Sequence, residues 1–344
     1  MLIVGQAPIE IKVGSEIWAV TFSATGEHLV SSDWGVRVWR AEDGEPVASM
    51  DTRFLPCLAV SKDVKWIAGG TTMGEVFIWN ATSHEKVLMQ KEGSPIHAVD
   101  FSPDTARLIS ASENGTAIIW DLVTRKRVHT LCHGSHVIAA KYSPQGDRIA
   151  IATHEFVRVW DSNYARPLVE INVIVIPDHN RGLLWSDNRL FVLSDNAIKQ
   201  FDASTKSIIT EWPVVDTNNS SCIALPKHGQ FIACSTTRTV TFWDTSTRAR
   251  LSLIQHPQSI RSIAFSPDDL FLAIGGEDKK ITLSRITVSV ISRFMSYLGK
   301  LDFPHRIRSH CLVYTPLSGN LTFRLTMLYL IYGSMISSNK QKIY

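Results

Sequence analysis

Three residues in one short loop are of the types that bind metal: Cys132, His133 and His136 in LCHGSH. Thiolate and imidazole ligands suit zinc, but a structural zinc site closes with four ligands and no fourth is evident nearby. The expectation is a pair of loop histidines, with no metal and no cofactor. The motifs of catalysis are missing too. The chain has no G-x-S-x-G elbow, no phosphate-cradling Walker loop, no H-E-x-x-H helix and no dinucleotide fingerprint. The reading therefore expects a binding protein and not an enzyme.

Charge supplies a second candidate surface. Arg125, Lys126 and Arg127, then Arg166, Lys206, Arg248 and Arg250, recur just after apolar runs that end on an aromatic residue. Such residues could form an arc of anionic-surface contacts, which makes acidic lipid or RNA the alternative partner class, tested by salt-sensitive binding. Against it, Glu42, Asp43 and Glu45 stand at the matching place near the N-terminus. Residues 1 to 286 hold 28 basic and 31 acidic residues, whereas a nucleic-acid-binding body is usually basic.

The elements that position these residues show themselves as a repeat. VRVWRA ends its apolar run on Trp39, VFIWNA on Trp79, AIIWDL on Trp120, VRVWDS on Trp160, IKQFDA on Phe201 and VTFWDT on Trp243, while ITLSRI brings Ser284 to the seventh place. The steps are 40, 41, 40, 41, 42 and 41 residues. Within each unit an alternating run such as IHAVDF puts its apolar side chains on one sheet face. A turn follows (SPDT, SPQG or SPDD), then a run rich in small residues, a second turn, and the run that ends on the aromatic. Three short antiparallel strands per unit are plain, and KVLMQ at 86 to 90 exemplifies a fourth.

Seven registered units, Ser-Pro-Asp turns and the endings Trp120-Asp121, Trp160-Asp161 and Trp243-Asp244 resemble the WD40-repeat (WD-repeat) family. The resemblance covers residues 1 to 286. It implies an all-β fold: a seven-bladed β-propeller of four-stranded antiparallel blades. Units five and seven diverge, the first lacking its Ser-Pro turn and the second its Trp. The family's supporting set of a His, an Asp and the Trp is complete in no unit; unit seven offers His256 and Asp278 only. GSEIWAVTFS at 14 to 23 matches GSPIHAVDFS at 93 to 102, so the strand at about 9 to 13 falls where a fourth strand belongs. It is expected to pair in blade seven and close the ring, since an open edge would recruit other chains.

On this fold the aromatic column packs between blades, and the loop-rich face rings the channel entrance. Trp18, His97 and Arg261 stand second in their first strands, and Trp34, Met73 and Arg238 lie in the turns between second and third strands, as does Asn196 in blade five. Trp and Arg anchor many interfaces, so Trp18, Trp34, Met73, His97, Arg238 and Arg261 are the expected partner contacts. The alternative has Trp34 cover a hairpin and Trp18 fill a gap between blades. The expected function is a non-catalytic scaffold for protein or peptide partners, monomeric or within a larger complex, and not a binder of nucleic acid or membrane. Five scattered cysteines and an N-terminus without a basic leader point to the cytoplasm or nucleus. Residues 287 to 344 leave the repeat as an irregular C-terminal extension; its apolar stretch at 325 to 337 is shorter than the roughly 20 residues of a spanning helix.

Overall fold

The computed structural model describes residues 2–91, 93–173, 182–194, 197–214 and 222–288; the extension beyond 288 and Asn196 lie outside the described residues. Seven four-stranded antiparallel sheets make up the fold. Blade one consists of Ala19–Phe22, His28–Ser32, Gly35–Arg40 and Pro46–Asp51, in that spatial order, and blade three of Ile96–Phe101, Arg107–Ser112, Thr116–Asp121 and Arg127–Cys132. The first strand of every blade packs beside the first strands of both neighbours, so the seven sheets form a closed ring with those strands innermost.

The ring closes as the sequence implies. Leu2–Lys12 pairs antiparallel with Lys280–Val288 as the outermost strand of blade seven. It is longer than the expected five residues because the register resumes beyond an irregularity between Gly5 and Ile9.

What holds the ring together is seven apolar clusters, one at each boundary between blades. Trp120 of blade three packs with Ala59, Ala68 and Ile78 of blade two. Trp160 joins Ile109, Ile119 and Leu131 of blade three, and Trp39 joins Ala273, Ile281 and Leu283 of blade seven. Each of these rings thus seals its own blade to the preceding one. A buried indole also needs a partner for its N–H. Trp39 and Trp120 donate to the hydroxyls of Ser31 (3.0 Å) and Ser110 (2.9 Å) on the adjacent strand. In blade seven, where Ser284 is buried in the Trp position, Phe231, Phe242 and Phe265 fill the boundary instead, with Phe231 edge-on to both others. His256 and Asp278 still meet there, 3.4 Å apart and nearly buried.

The turns explain the punctuation. In blades two, three and seven the serine hydroxyl donates to the Asp two residues on, Ser61 to Asp63 at 2.6 Å and Ser102 to Asp104 and Ser266 to Asp268 at 2.5 Å. The residue after that Asp, or its equivalent, takes the left-handed conformation: Gly26, Val64, Thr105, Gly146, Gly229 and Asp269 all have positive φ. Blade five, lacking Ser-Pro, uses a shorter hairpin in which Ser186 pairs with Arg189. Val64, at φ 60°, is the one β-branched aliphatic among these residues, where its Cβ crowds the backbone. Val64→Gly is expected to stabilise the fold by roughly 0.5–1 kcal/mol, the left-handed penalty less the chain entropy glycine adds. An unchanged or lower urea midpoint would show that no strain is stored there.

Candidate functional site: the channel-entrance face

Antiparallel pairing puts the turns between second and third strands, and the links from one blade to the next, at one end of the ring. At blades seven, one and two this end carries an aromatic platform. The Trp18 ring stands edge-on to Phe54 at 4.6 Å and 86°, and Trp34 tilts against the same Phe54 at 5.7 Å. The guanidinium of Arg261 lies over the Trp18 ring, 3.7 Å from its centroid. Its Nη2 donates to Glu277 at 2.8 Å and to Glu16 at 3.4 Å. A cation over an indole face that is also hydrogen-bonded to carboxylates is an attractive and well-oriented contact. It also ties blade seven to blade one, where the ring closes.

The six expected contacts therefore separate into two groups. Trp34, Met73 and Arg238 are exposed, the first at 64% and the second at 49%. Trp18, His97 and Arg261 are half-buried and stand behind them. Trp18 packs against Phe54 and Arg261, whereas Trp34 projects.

Sequence reasoning missed Phe54, the hinge of the platform, because it lies in the link from blade one to blade two and outside the columns compared. The only signal was its bulk within the polar stretch DTRF. Arg53 and Glu75, 3.7 Å apart, and Glu16 and Glu277 were missed likewise. At blades three and four, Glu113 sits 3.9 Å from His97 and 3.8 Å from His136. Burial holds the His97 imidazole below its ordinary pKa, against the opposing pull of Glu113.

The loop that carried metal-type residues is divided by the fold. Cys132 ends the outer strand of blade three, exposed, and His136 is exposed beside Glu113. His133 is buried, and its Nε2 accepts the N–H of Trp160 at 3.0 Å. Among the described residues no group of three His, Cys, Asp or Glu stands together as metal ligands. His133 instead does for Trp160 what Ser31 does for Trp39.

The basic residues fall on the opposite end. Arg125, Lys126, Arg127, Arg166, Lys206, Arg248 and Arg250 are all exposed, in the turns between third and outer strands or at the start of the outer strand. Arg125, Lys206 and Arg248 share one left-handed turn position with Gly44, His84 and Ala165, so part of their spacing is set by the turn. Arg127 lies over Trp120 and Arg166 over Tyr164, at 5.9 and 5.8 Å from the ring centroids.

The fold is a closed, seven-bladed propeller. The family model described as WD domain, G-beta repeat matches residues 10–40, 85–121 and 248–283. Each match runs from the outer strand of one blade, or the turn before it, through the third strand of the next, and the first begins inside the ring-closing strand. The chain thus carries three matched WD40 repeats on a seven-bladed β-propeller, and WD40 propellers typically serve as non-enzymatic scaffolds for protein partners. Comparison with curated proteins finds no match.

Proposed function

We propose that this propeller is a non-catalytic platform whose channel-entrance face binds a protein or peptide partner through Trp34, Met73 and Arg238. Trp18, Arg261 and His97 act as the supporting layer. The observation that carries this reading is the exposure of Trp34, 64%, over a platform that is itself tightly packed. Trp34 and Met73 are the two large apolar side chains left exposed on the described part of this face. A projecting aromatic backed by a rigid layer loses little side-chain entropy on binding, which is the usual character of an interface anchor.

The test compares the full chain with a Trp34→Ala, Met73→Ser variant in capture from native cell extract with mass spectrometry. Melting curves verify that the variant folds. Partners that bind the parent are expected to fall by at least about thirtyfold in affinity with the variant, the loss of a hot-spot residue. Equal capture by both proteins would move the binding surface off this face.

A further inference from the structure

We propose that the turn face of blades three and four docks on an anionic lipid bilayer, with Val123 and Tyr164 entering the headgroup region and Arg125, Lys126, Arg127 and Arg166 facing the lipid phosphates. This surface lies at the end of the ring away from the entrance, so the inference does not rest on the partner reading above.

The turns between third and outer strands share a backbone geometry in blades one to six, and their tips read Glu42-Asp43, Thr82-Ser83, Val123-Thr124, Asn163-Tyr164, Ser204-Thr205 and Ser246-Thr247. Acidic or hydroxyl tips thus satisfy the turn. Only blades three and four put apolar bulk there, and they leave it in water: Val123 is 87% exposed and Tyr164 75%. The two tips belong to neighbouring blades that are tied together, because Arg107 donates to the Ser162 carbonyl at 2.9 Å and to the Asn163 side chain at 3.2 Å, and His129 bonds the Asn163 carbonyl at 3.2 Å.

Around these tips Arg125, Lys126, Arg127 and Arg166 are exposed, while the nearby carboxylates accept hydrogen bonds within their own turns. Asp121 accepts from the N–H of Thr124, and Asp161 from those of Asn163 and Tyr164. Asp104 and Asp147 on the neighbouring turns accept from Ser102 and Ser143, and Asp147 also lies 3.5 Å from Arg148. Arg166 lies over the Tyr164 ring and makes a long 3.9 Å approach to Asp161. Aliphatic and tyrosine tips beside arginine stems match the interfacial zone of a bilayer, where apolar groups enter and guanidinium groups reach the headgroups. RNA would reward stacking surfaces, and Val123 provides none. A surface contact of this kind needs no spanning segment, and no helix among the described residues is long and apolar enough to cross a membrane.

The experiment is cosedimentation of the full chain with vesicles of phosphatidylcholine containing roughly a third phosphatidylserine, and with phosphatidylcholine alone, at ~0.1 M salt. Binding to the first and not the second is expected. Replacing Arg125, Lys126, Arg127 and Arg166 together by Ser should lower the partition by more than about a hundredfold, at about fivefold per cation. Val123→Ser with Tyr164→Ser should lower it several-fold and leave its salt dependence unchanged. Four findings would each overturn the proposal: no binding, equal binding to both vesicles, or no loss in either variant; and single-stranded RNA binding that falls with the cations while ignoring Val123→Ser, which would assign the face to nucleic acid.

Discussion

Deleting residues 2–13 is expected to abolish cooperative unfolding and leave a chain that aggregates. The segment is the outer strand of blade seven. It pairs with the third strand from Ile9 opposite Leu283 to Lys12 opposite Lys280, and Val13 N–H adds a bond to the Lys279 carbonyl at 3.0 Å. Removing it uncovers a long strand edge of the kind other chains pair with. It also opens the cluster at the boundary of blades seven and one, where Ile11 is buried and Ile9 packs against it. Ile11→Ala alone should cost about 2–5 kcal/mol. That is a large part of the ~5–15 kcal/mol that holds an ordinary domain together.

A gentler probe of the same contact is Gly44→Ala in blade one. Gly44 has φ +77°, and a Cβ there would lie 2.7 Å from Cγ1 of Ile11, so a loss of about 1–3 kcal/mol is expected. Urea unfolding followed by tryptophan fluorescence measures all three variants. A deletion that melts at the parent midpoint would mean that the strand decorates a ring already closed by other contacts.

The second large effect is acid sensitivity centred on His133. Burial, and secondarily the charge of Arg158, pushes its imidazole down to about 4. Phe156 stacks near it, and its Nε2 must stay unprotonated to accept the Trp160 N–H. In the unfolded chain the pKa returns to about 6.5, so below that pH the unfolded state binds the proton first. Stability is therefore full above pH ~6.5, falls as the pH drops toward about 4, and then levels off as far as this group is concerned. The drop is about 3 kcal/mol from this residue. His97, also lowered by burial, acts in the same direction. Carboxylates held low by their turns, such as Asp104 and Asp161, add their losses only nearer the acid range of free carboxyl groups. His133→Gln supplies an acceptor that does not titrate. Urea midpoints measured between pH 7 and 4.5 should converge as the parent loses its advantage, while parallel curves for the two proteins would remove His133 as the cause.

Much of the ring was legible because its packing unit recurs along the chain. The aromatic at the end of the third strand in blades one to six meets the same surroundings, the sheet of the preceding blade, so the same residue type returns every 40 to 42 residues. Turn residues are equally local: a serine two residues before an aspartate makes its hydrogen bond wherever that turn forms. The closing strand was legible for a related reason, since GSEIWAVTFS and GSPIHAVDFS must each follow an outer strand.

The sequence by itself thus determined the number of blades, the aromatic column between blades and the fastening of the ends, all consequences of short-range hydrogen bonding and repeated burial. The tertiary structure alone decided which side chains stay exposed at either end. Arg261 stacks on Trp18 across 243 positions of sequence only because the ring closes. Phe231, Phe242 and Phe265 take up the space beside Ser284, and His133 meets Trp160 from a neighbouring blade. Such contacts depend on strands and links of different blades brought together by the whole ring, whose geometry no local pattern of hydrophobicity or turn chemistry encodes.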